Sequence, residues 1–245
     1  MPEPVNRSAL AQVDGWRSWL GRLLYPARCP LCREAADEAS GLCAACAGRL
    51  PWLGAACARC ALPLMGAQAV GDSCGDCLQR APPLRFVQAS FLYGHPLDRL
   101  LPRFKFHRDL ACGRLLAQWM LPACAAAPRP QMLVPLPLHA ARLRQRGYDQ
   151  ALELARPLAR ALDLPLRTDL LVRMRATAAQ SSLDAEARRR NVRGAFRVQG
   201  RAAVPTHVAL VDDVMTTGAT LHAAARALHR AGVARVDAWV CARVP

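Results

Sequence analysis

The sequence predicts an α/β protein, a three-layer domain built on a mostly parallel sheet and preceded by a small cysteine-rich module. From about residue 84 onward, short apolar runs alternate with segments whose apolar residues recur at helical spacing, as strands and helices laid down in turn would require. Ahead of that region, eight of the eleven cysteines fall into four C-x-x-C pairs. Between residues 208 and 220, an apolar run, two carboxylates, a cluster of small hydroxyl residues and a helical pattern follow in that order.

Residues 1–25 are expected to form an amphipathic helix, because Leu10, Val13, Trp16, Leu20, Leu23 and Leu24 share one face. Residues 26–81 carry the cysteine pairs: Cys29 with Cys32, Cys43 with Cys46, Cys57 with Cys60 and Cys74 with Cys77. A C-x-x-C turn sets two thiolates on one side of a tight knuckle, and two knuckles complete the tetrahedron that Zn²⁺ prefers. Four knuckles therefore point to two structural zinc ions. Ten residues separate the first two pairs and thirteen the last two, so each sequential couple can close on its own ion, with interleaved pairing still open. A disulfide framework would need an oxidising compartment. The amino terminus, with Glu3, Arg7 and Asp14, does not read as a secretion signal, so the expected compartment is the cytosol. Redox-active pairs would need a thioredoxin-like strand and helix around them. Pro30, Gly54, Pro63, Gly66, Gly71 and Gly75 fill the intervening segments with turn formers, leaving metal binding as the module's main source of folding energy. Cys112, Cys124 and Cys241 stand in apolar surroundings and read as packing residues.

The α/β domain is assigned to residues 82–245. Its expected strands are Val87–Tyr93, Met132–Leu136, Ala195–Val198, Val208–Val211 and Arg235–Ala242. Helices are expected over Asp109–Leu121, across Leu154, Leu158 and Leu162 with a kink at Pro157, and over Ala219–Ala231 with Gly232 as its cap. Phe104, Lys105, Phe106 and His107 invite a base-stacking reading, but aromatics beside a helix are more often core. Lys and Arg number 33 against 18 Asp and Glu, a net charge of +15 that favours polyanionic partners. Almost all of this excess is arginine, which suits bidentate phosphate contacts but also follows from a GC-rich genome. No stretch reads as membrane-spanning.

The segment from Val208 to Thr220 carries the most chemistry. Thr216, Thr217, Gly218, Ala219 and Thr220 are small enough for their amides to close around a phosphate at the positive end of a helix. Asp212 and Asp213, at the carboxyl end of the strand, are suited to accept hydrogen bonds from ribose hydroxyls. This segment resembles the phosphoribosyl-diphosphate signature of type I phosphoribosyltransferases. The resemblance implies that the acidic pair holds the ribose 2′ and 3′ hydroxyls, that the loop holds the 5′-phosphate, and that the sheet is of phosphoribosyltransferase type.

The knuckles, Leu133–Leu138, Arg144–Gln150, Gln180–Leu183 and Arg188–Phe196 together look like the ComF competence family. In type I enzymes the loop after the first core strand meets the diphosphate through backbone amides, which implies that role for Leu136, Pro137 and Leu138. Proline cannot donate, so Leu136 and Leu138 are the expected donors. Arg142, Arg144 and Arg146 follow closely and are expected to add anion contacts, with Arg144 and Arg146 assigned to the diphosphate, although a solvated basic face is the plain alternative. Residues Arg175 to Gly194 fit a loop closing over bound ligand, and the resemblance names Gln180, Arg188 and Asn191 there.

The reaction so implied is loss of diphosphate from C1 of phosphoribosyl diphosphate, with Mg²⁺ neutralising the leaving group and an acceptor attacking the developing cation. In 6-oxopurine salvage enzymes a carboxylate stands in the place of Thr216, so its absence argues against that acceptor class. The family resemblance further implies natural competence and DNA uptake. As the alternative to catalysis, it implies an adaptor that binds single-stranded DNA or a helicase partner.

Overall fold

The computed structural model describes residues 28–37, 40–64, 72–175, 192, 194–199 and 205–245. The amphipathic segment before residue 25, together with Gln180, Arg188 and Asn191, lies outside the described residues. The chain divides into two compact units, Met1–Leu50 and Pro51–Pro245.

In the smaller unit the first knuckle turns back on itself. Cys29 N–H donates to Glu34 O at 2.8 Å and Arg33 N–H donates to Cys29 O at 2.8 Å. The second knuckle opens the single-turn helix α1, Ala44–Ala47, with Cys43 at its N-cap.

The larger unit begins with the other two knuckles and the short helix α2, Gly75–Gln79, which Cys74 caps. Beyond them run β1 Val87–Leu92, α3 Leu97–Phe106, α4 Leu110–Ala126, β2 Met132–Pro135, α5 Ala140–Arg146 and α6 Gln150–Ala161. The chain continues through β3 Leu171–Arg173, β4 Phe196–Val198, β5 His207–Met215, α7 Ala219–Arg230 and β6 Arg235–Arg243. Four strands form a wholly parallel sheet in the order β1-β6-β5-β2. Leu133 also bridges in parallel to Leu166 and so extends the sheet beyond β2.

Strand parity separates the two faces. Val208, Leu210, Val236, Ala238 and Val240 join one hydrophobic core with Leu221, Ala224 and Leu228 of α7. Residues of opposite parity, Ala209, Val211, Trp239 and Cys241, are also fully buried and face the layer of α4 and α6. The predicted three-layer arrangement is thus present. Cys57, Cys60 and Cys77 belong to the same core as α7, so the second cysteine quartet packs into the larger unit.

Several elements differ from the sequence expectation. The expected strand Val208–Val211 runs on to Met215, because Asp212, Val214 and Met215 keep their pairing with Val240, Ala242 and Arg243 of β6. The carboxylates therefore lie within the strand rather than after it. Residues Phe196–Val198 do form a strand, yet they pair antiparallel with β3 in a separate two-stranded sheet. Helix α6 continues through Pro157, and α3 and α4 likewise contain Pro102 and Pro122. Gly232, at φ 101°, follows the C-cap of α7 in the conformation that favours glycine.

Phe104 of α3 is completely buried, and Gly113 of α4 is what admits it. A Cβ at Gly113 would lie 2.4 Å from Phe104 Cε2. Gly113→Ala is therefore expected to destabilise the larger unit by about 1–3 kcal/mol through overpacking, although alanine is the better helix former. Chemical denaturation showing an unchanged or raised midpoint would contradict that packing.

Candidate functional site

The eight knuckle cysteines form two quartets, Cys29-Cys32-Cys43-Cys46 and Cys57-Cys60-Cys74-Cys77, with the sulfurs of each within 4.8 Å of one another. A tetrahedral zinc site with bonds of about 2.3 Å requires sulfurs about 3.8 Å apart, so both quartets fit the ion. The pairing is sequential. Cys74 N–H donates to Cys57 Sγ at 3.2 Å, which orients that ligand within its knuckle.

Without an ion, the crowded thiols of each quartet oppose one another's ionisation. Burial opposes ionisation of Cys29, yet backbone donation from Cys43, Cys32 and Leu31 holds it down to about 6. In the same quartet Cys46 is pushed up to about 12, chiefly by its hydrogen bond with Cys43. Burial first and Cys57 second push Cys60 up to about 11. Four thiolates cannot share so small a volume without a metal, and the two tetrads are structural zinc sites. None of the eleven cysteines forms a disulfide, and burial pushes the thiols of Cys112 and Cys124 up to about 12, as inert packing residues require.

The second site is a cleft of about 700 Å³ at the carboxyl ends of β2 and β5. Its lining unites Leu136, Pro137 and Leu138 with Arg146, Asp212, Asp213, Gly218, Ala219 and Thr220. Thr216 and Thr217 flank this lining, and Thr217 Oγ1 accepts from Ala219 N–H at 3.4 Å. Gly218 is the N-cap of α7 at φ 72°, where a Cβ would lie 2.6 Å from Met215 Cε. Its left-handed backbone favours glycine, and the first turn of α7 that follows has amides without intrahelical acceptors, of which Ala219 N–H is met by Thr217.

The two amides expected to meet a diphosphate already have acceptors in this structure. The Leu136 amide donates to Val211 O at 2.9 Å and so continues the β2–β5 ladder. The Leu138 amide donates to Asp149 Oδ2 at 3.1 Å. Both expected donors are thus already satisfied within the fold. Arg144 is exposed and outside the cleft lining, whereas Arg142 takes part in it. Helix α5 explains the difference, since residues 142 and 146 share a face at a spacing of four and residue 144 lies across the axis.

Asp149 has a further task as the N-cap of α6, where its Oδ1 accepts from Leu152 N–H at 3.2 Å. One carboxylate thereby ties the loop after β2 to the start of a helix. Arg146 is held in turn by Gln150 Oε1 at 2.6 Å and lies 5.0 Å over the Phe106 ring.

Lys105 is the residue that sequence reasoning missed. It lies in the last turn of α3 and lines the cleft, its Nζ 3.0 Å from Asp213 Oδ1. The available signal was compositional: it is the only lysine in a chain that otherwise writes every basic residue as arginine. Of its neighbours, Phe104 is core while Phe106 lines the cleft and is 64% exposed. Arg108, Arg142, Arg146 and Arg173 add positive charge around Asp149, Asp212 and Asp213. The Asp212 carboxyl is pushed up to about 8, first by burial and then by Asp213, against donation from the Asp213 amide and the charge of Lys105.

A parallel sheet with an acidic pair and a glycine-capped helix at its carboxyl edge defines a domain of the phosphoribosyltransferase type, here joined to paired zinc knuckles. The Double zinc ribbon domain family matches residues 20–78, and the Phosphoribosyl transferase domain family matches residues 149–245. The DNA utilization protein YhgH of Salmonella typhi is 37% identical over 232 residues, 90% of this chain and 99% of that protein. Competence protein F of Haemophilus influenzae is 34% identical over 228 residues, 88% and 96% of the two chains. Competence protein ComFC of Bacillus subtilis is 29% identical over 202 residues, 79% and 80%. The chain belongs to this ComF family. Among the described residues no helix is long and apolar enough to cross a membrane.

Protein purified under reducing conditions is expected to contain two zinc ions by metal analysis. Cys29→Ser should disturb the smaller unit alone, whereas Cys57→Ser should lower the melting temperature of the larger unit, because its quartet belongs to that core. Equal effects on the larger unit would refute the assignment. A separate outcome follows from Asp212. Its folded-state value lies above the unfolded one, so its proton stabilises the fold at acid pH and that contribution is lost as pH rises towards 8. Asp212→Asn is uncharged throughout, so it should melt a few degrees above the parent at about pH 9, with the gap closing as pH falls. A gap of constant size across a pH series of melting curves would show that the carboxyl does not titrate in this way.

Proposed function

We propose that the cleft binds phosphoribosyl diphosphate and that the chain is a phosphoribosyltransferase of the ComF type, acting in the handling of incoming DNA. The observation that carries this reading is the convergence in one cleft of Asp212 and Asp213, the amino terminus of α7 and a cationic rim. Ribose hydroxyls would donate to the two carboxylates, and the 5′-phosphate would accept from amides of the Thr216–Thr220 turn. With the Leu136 and Leu138 amides already engaged, the diphosphate would rely on Arg142, Arg146 and Mg²⁺. The negative charge of such a ligand would by itself oppose ionisation of Asp212, so the Mg²⁺ and the cationic rim that accompany it would have to offset that effect.

The names of the relatives, DNA utilization and competence, support a role in DNA uptake. Single-stranded DNA and an uptake helicase are the partners this role implies, with the arginine-rich rim as the natural contact for a phosphate backbone.

Calorimetry with phosphoribosyl diphosphate and Mg²⁺ tests the binding step. Asp213→Ala should leave the fold intact and weaken binding by about 1.5–3 kcal/mol, as for a lost charge-assisted hydrogen bond. Ligand consumption over a panel of nucleobases then tests transfer. Unchanged affinity in the Asp213 variant would remove that residue from the site, and no binding to the parent would end the phosphoribosyl reading.

A further inference from the structure

Arg243, near the end of β6, is only 6% exposed, and among the described residues it is the only basic side chain so deeply buried. Its Nε donates to Cys60 O at 2.7 Å. Its Nη1 donates to Met215 O at 3.3 Å and to Val244 O. No carboxylate among the described residues pairs with it. A buried guanidinium that meets only neutral carbonyls is costly unless an opposite charge stands nearby. Its Nε acceptor, Cys60, is itself a member of the second quartet, whose four sulfurs lie within 4.8 Å of one another. A zinc ion bound by four thiolates carries a net double negative charge, and Arg243 is suited to balance it.

The same side chain reaches the cleft. Met215 is the strand partner of Arg243 in the β5–β6 ladder, and its carbonyl also accepts from Val244 N–H at 2.9 Å. The Met215 side chain packs beneath Gly218, its Cε 2.6 Å from where a Cβ there would stand. An unbroken chain of contacts thus leads from the Cys60 knuckle through Arg243 and Met215 to the glycine that caps α7.

We propose that Arg243 is the counter-ion of the second zinc centre and the positioning residue for the turn at Gly218, so that zinc in the Cys57-Cys60-Cys74-Cys77 quartet sets the affinity of the cleft for phosphorylated ligand. The coupling to ligand rests on the phosphoribosyl reading of the cleft, whereas the counter-ion role does not. Coupling of this kind is reciprocal: bound ligand must tighten the hold on zinc as much as zinc tightens the hold on ligand.

The test uses the full chain loaded with zinc. In competition with a chromophoric chelator, Arg243→Met should release one of its two zinc ions at about tenfold lower chelator concentration than the parent, the loss typical of an outer-shell partner, while the other ion is held unchanged. Arg243→Lys keeps the charge without the fork, so it should hold zinc almost as the parent does yet bind phosphoribosyl diphosphate about tenfold more weakly. Should Arg243→Met not fold, Arg243→Gln removes the charge while keeping a donor for Cys60 O, and the same loss of one zinc is expected. In the parent, saturating phosphoribosyl diphosphate should slow the release of one zinc and not the other. Uncharged variants that retain both ions as tightly as the parent would overturn the counter-ion role. Parent protein that binds the ligand but releases both ions at unaltered rates would overturn the coupling. If the ligand does not bind the parent at all, the phosphoribosyl reading and the coupling built on it fail together, while zinc retention still decides the counter-ion role.

Discussion

The parallel pairing of β5 with β6 and β2 is the constraint from which the rest of the larger unit follows. Residues 208–211 of β5 are buried on both faces, so the strand cannot shift register by one position without exchanging its two packing layers. That fixed register carries Asp212 and Asp213 to the carboxyl edge with their side chains on opposite faces. It also sets Met215 against Arg243 and places the turn at Gly218 just beyond the end of the strand. A crossover helix must return to the sheet from this edge, so the amino terminus of α7 arrives beside the carboxylates with no further design. Ligand chemistry collects here because the strand ends supply what ordinary packing leaves over, orphan amides and unpaired side chains.

Electrostatics then distinguishes the two aspartates. Asp213 meets the Lys105 ammonium directly, whereas Asp212 faces burial and a like-charged neighbour and is driven towards its protonated form. A lysine at this point has a different consequence from an arginine. Its compact ammonium can turn away from a carboxylate, as the proposed ribose ligand would require, while a planar fork would hold the carboxylate in a bidentate grip. The choice of lysine therefore keeps the acidic pair screened yet displaceable. Arginines stand instead where a fixed anion contact is useful, as with Arg146 held by Gln150.

What could be read from the chain alone was whatever a local period or a fixed spacing encodes. The knuckle spacings pointed to eight ligands for two ions but left their pairing open, and the run from Val208 to Thr220 carried the strand, the turn and the helix of the cleft, because each is contiguous in sequence. Lys105 escaped because its role is set by α3 folding over the end of β5, about a hundred residues later in the chain. Arg142, Arg144 and Arg146 could not be told apart because the basic segment lacks a clear apolar stripe, so the helical phase of α5 could not be fixed. The amides of Leu136 and Leu138 looked available because their acceptors, Val211 O and Asp149 Oδ2, come from distant or separately capped elements. Residues 196–198 carried the alternation of a strand, but nothing local says which sheet a strand joins.

The second quartet shows why a metal centre and an α/β core can share one unit. Its sulfurs are hydrophobic enough to sit with Leu84, Val87 and Val240, and once zinc is bound their charge is gathered at one point that a single guanidinium can face. An isolated ribbon surrounded by water needs no such partner. A ribbon whose knuckle is packed into a core does, because the low dielectric that strengthens its attraction to Arg243 also raises the cost of leaving either charge alone. The two burdens are opposite in sign and adjacent in space, so each makes the other tolerable. The side chain that balances them is also the one that touches the strand end beneath Gly218, and for that reason the charge state of the ribbon and the shape of the cleft are bound to one another.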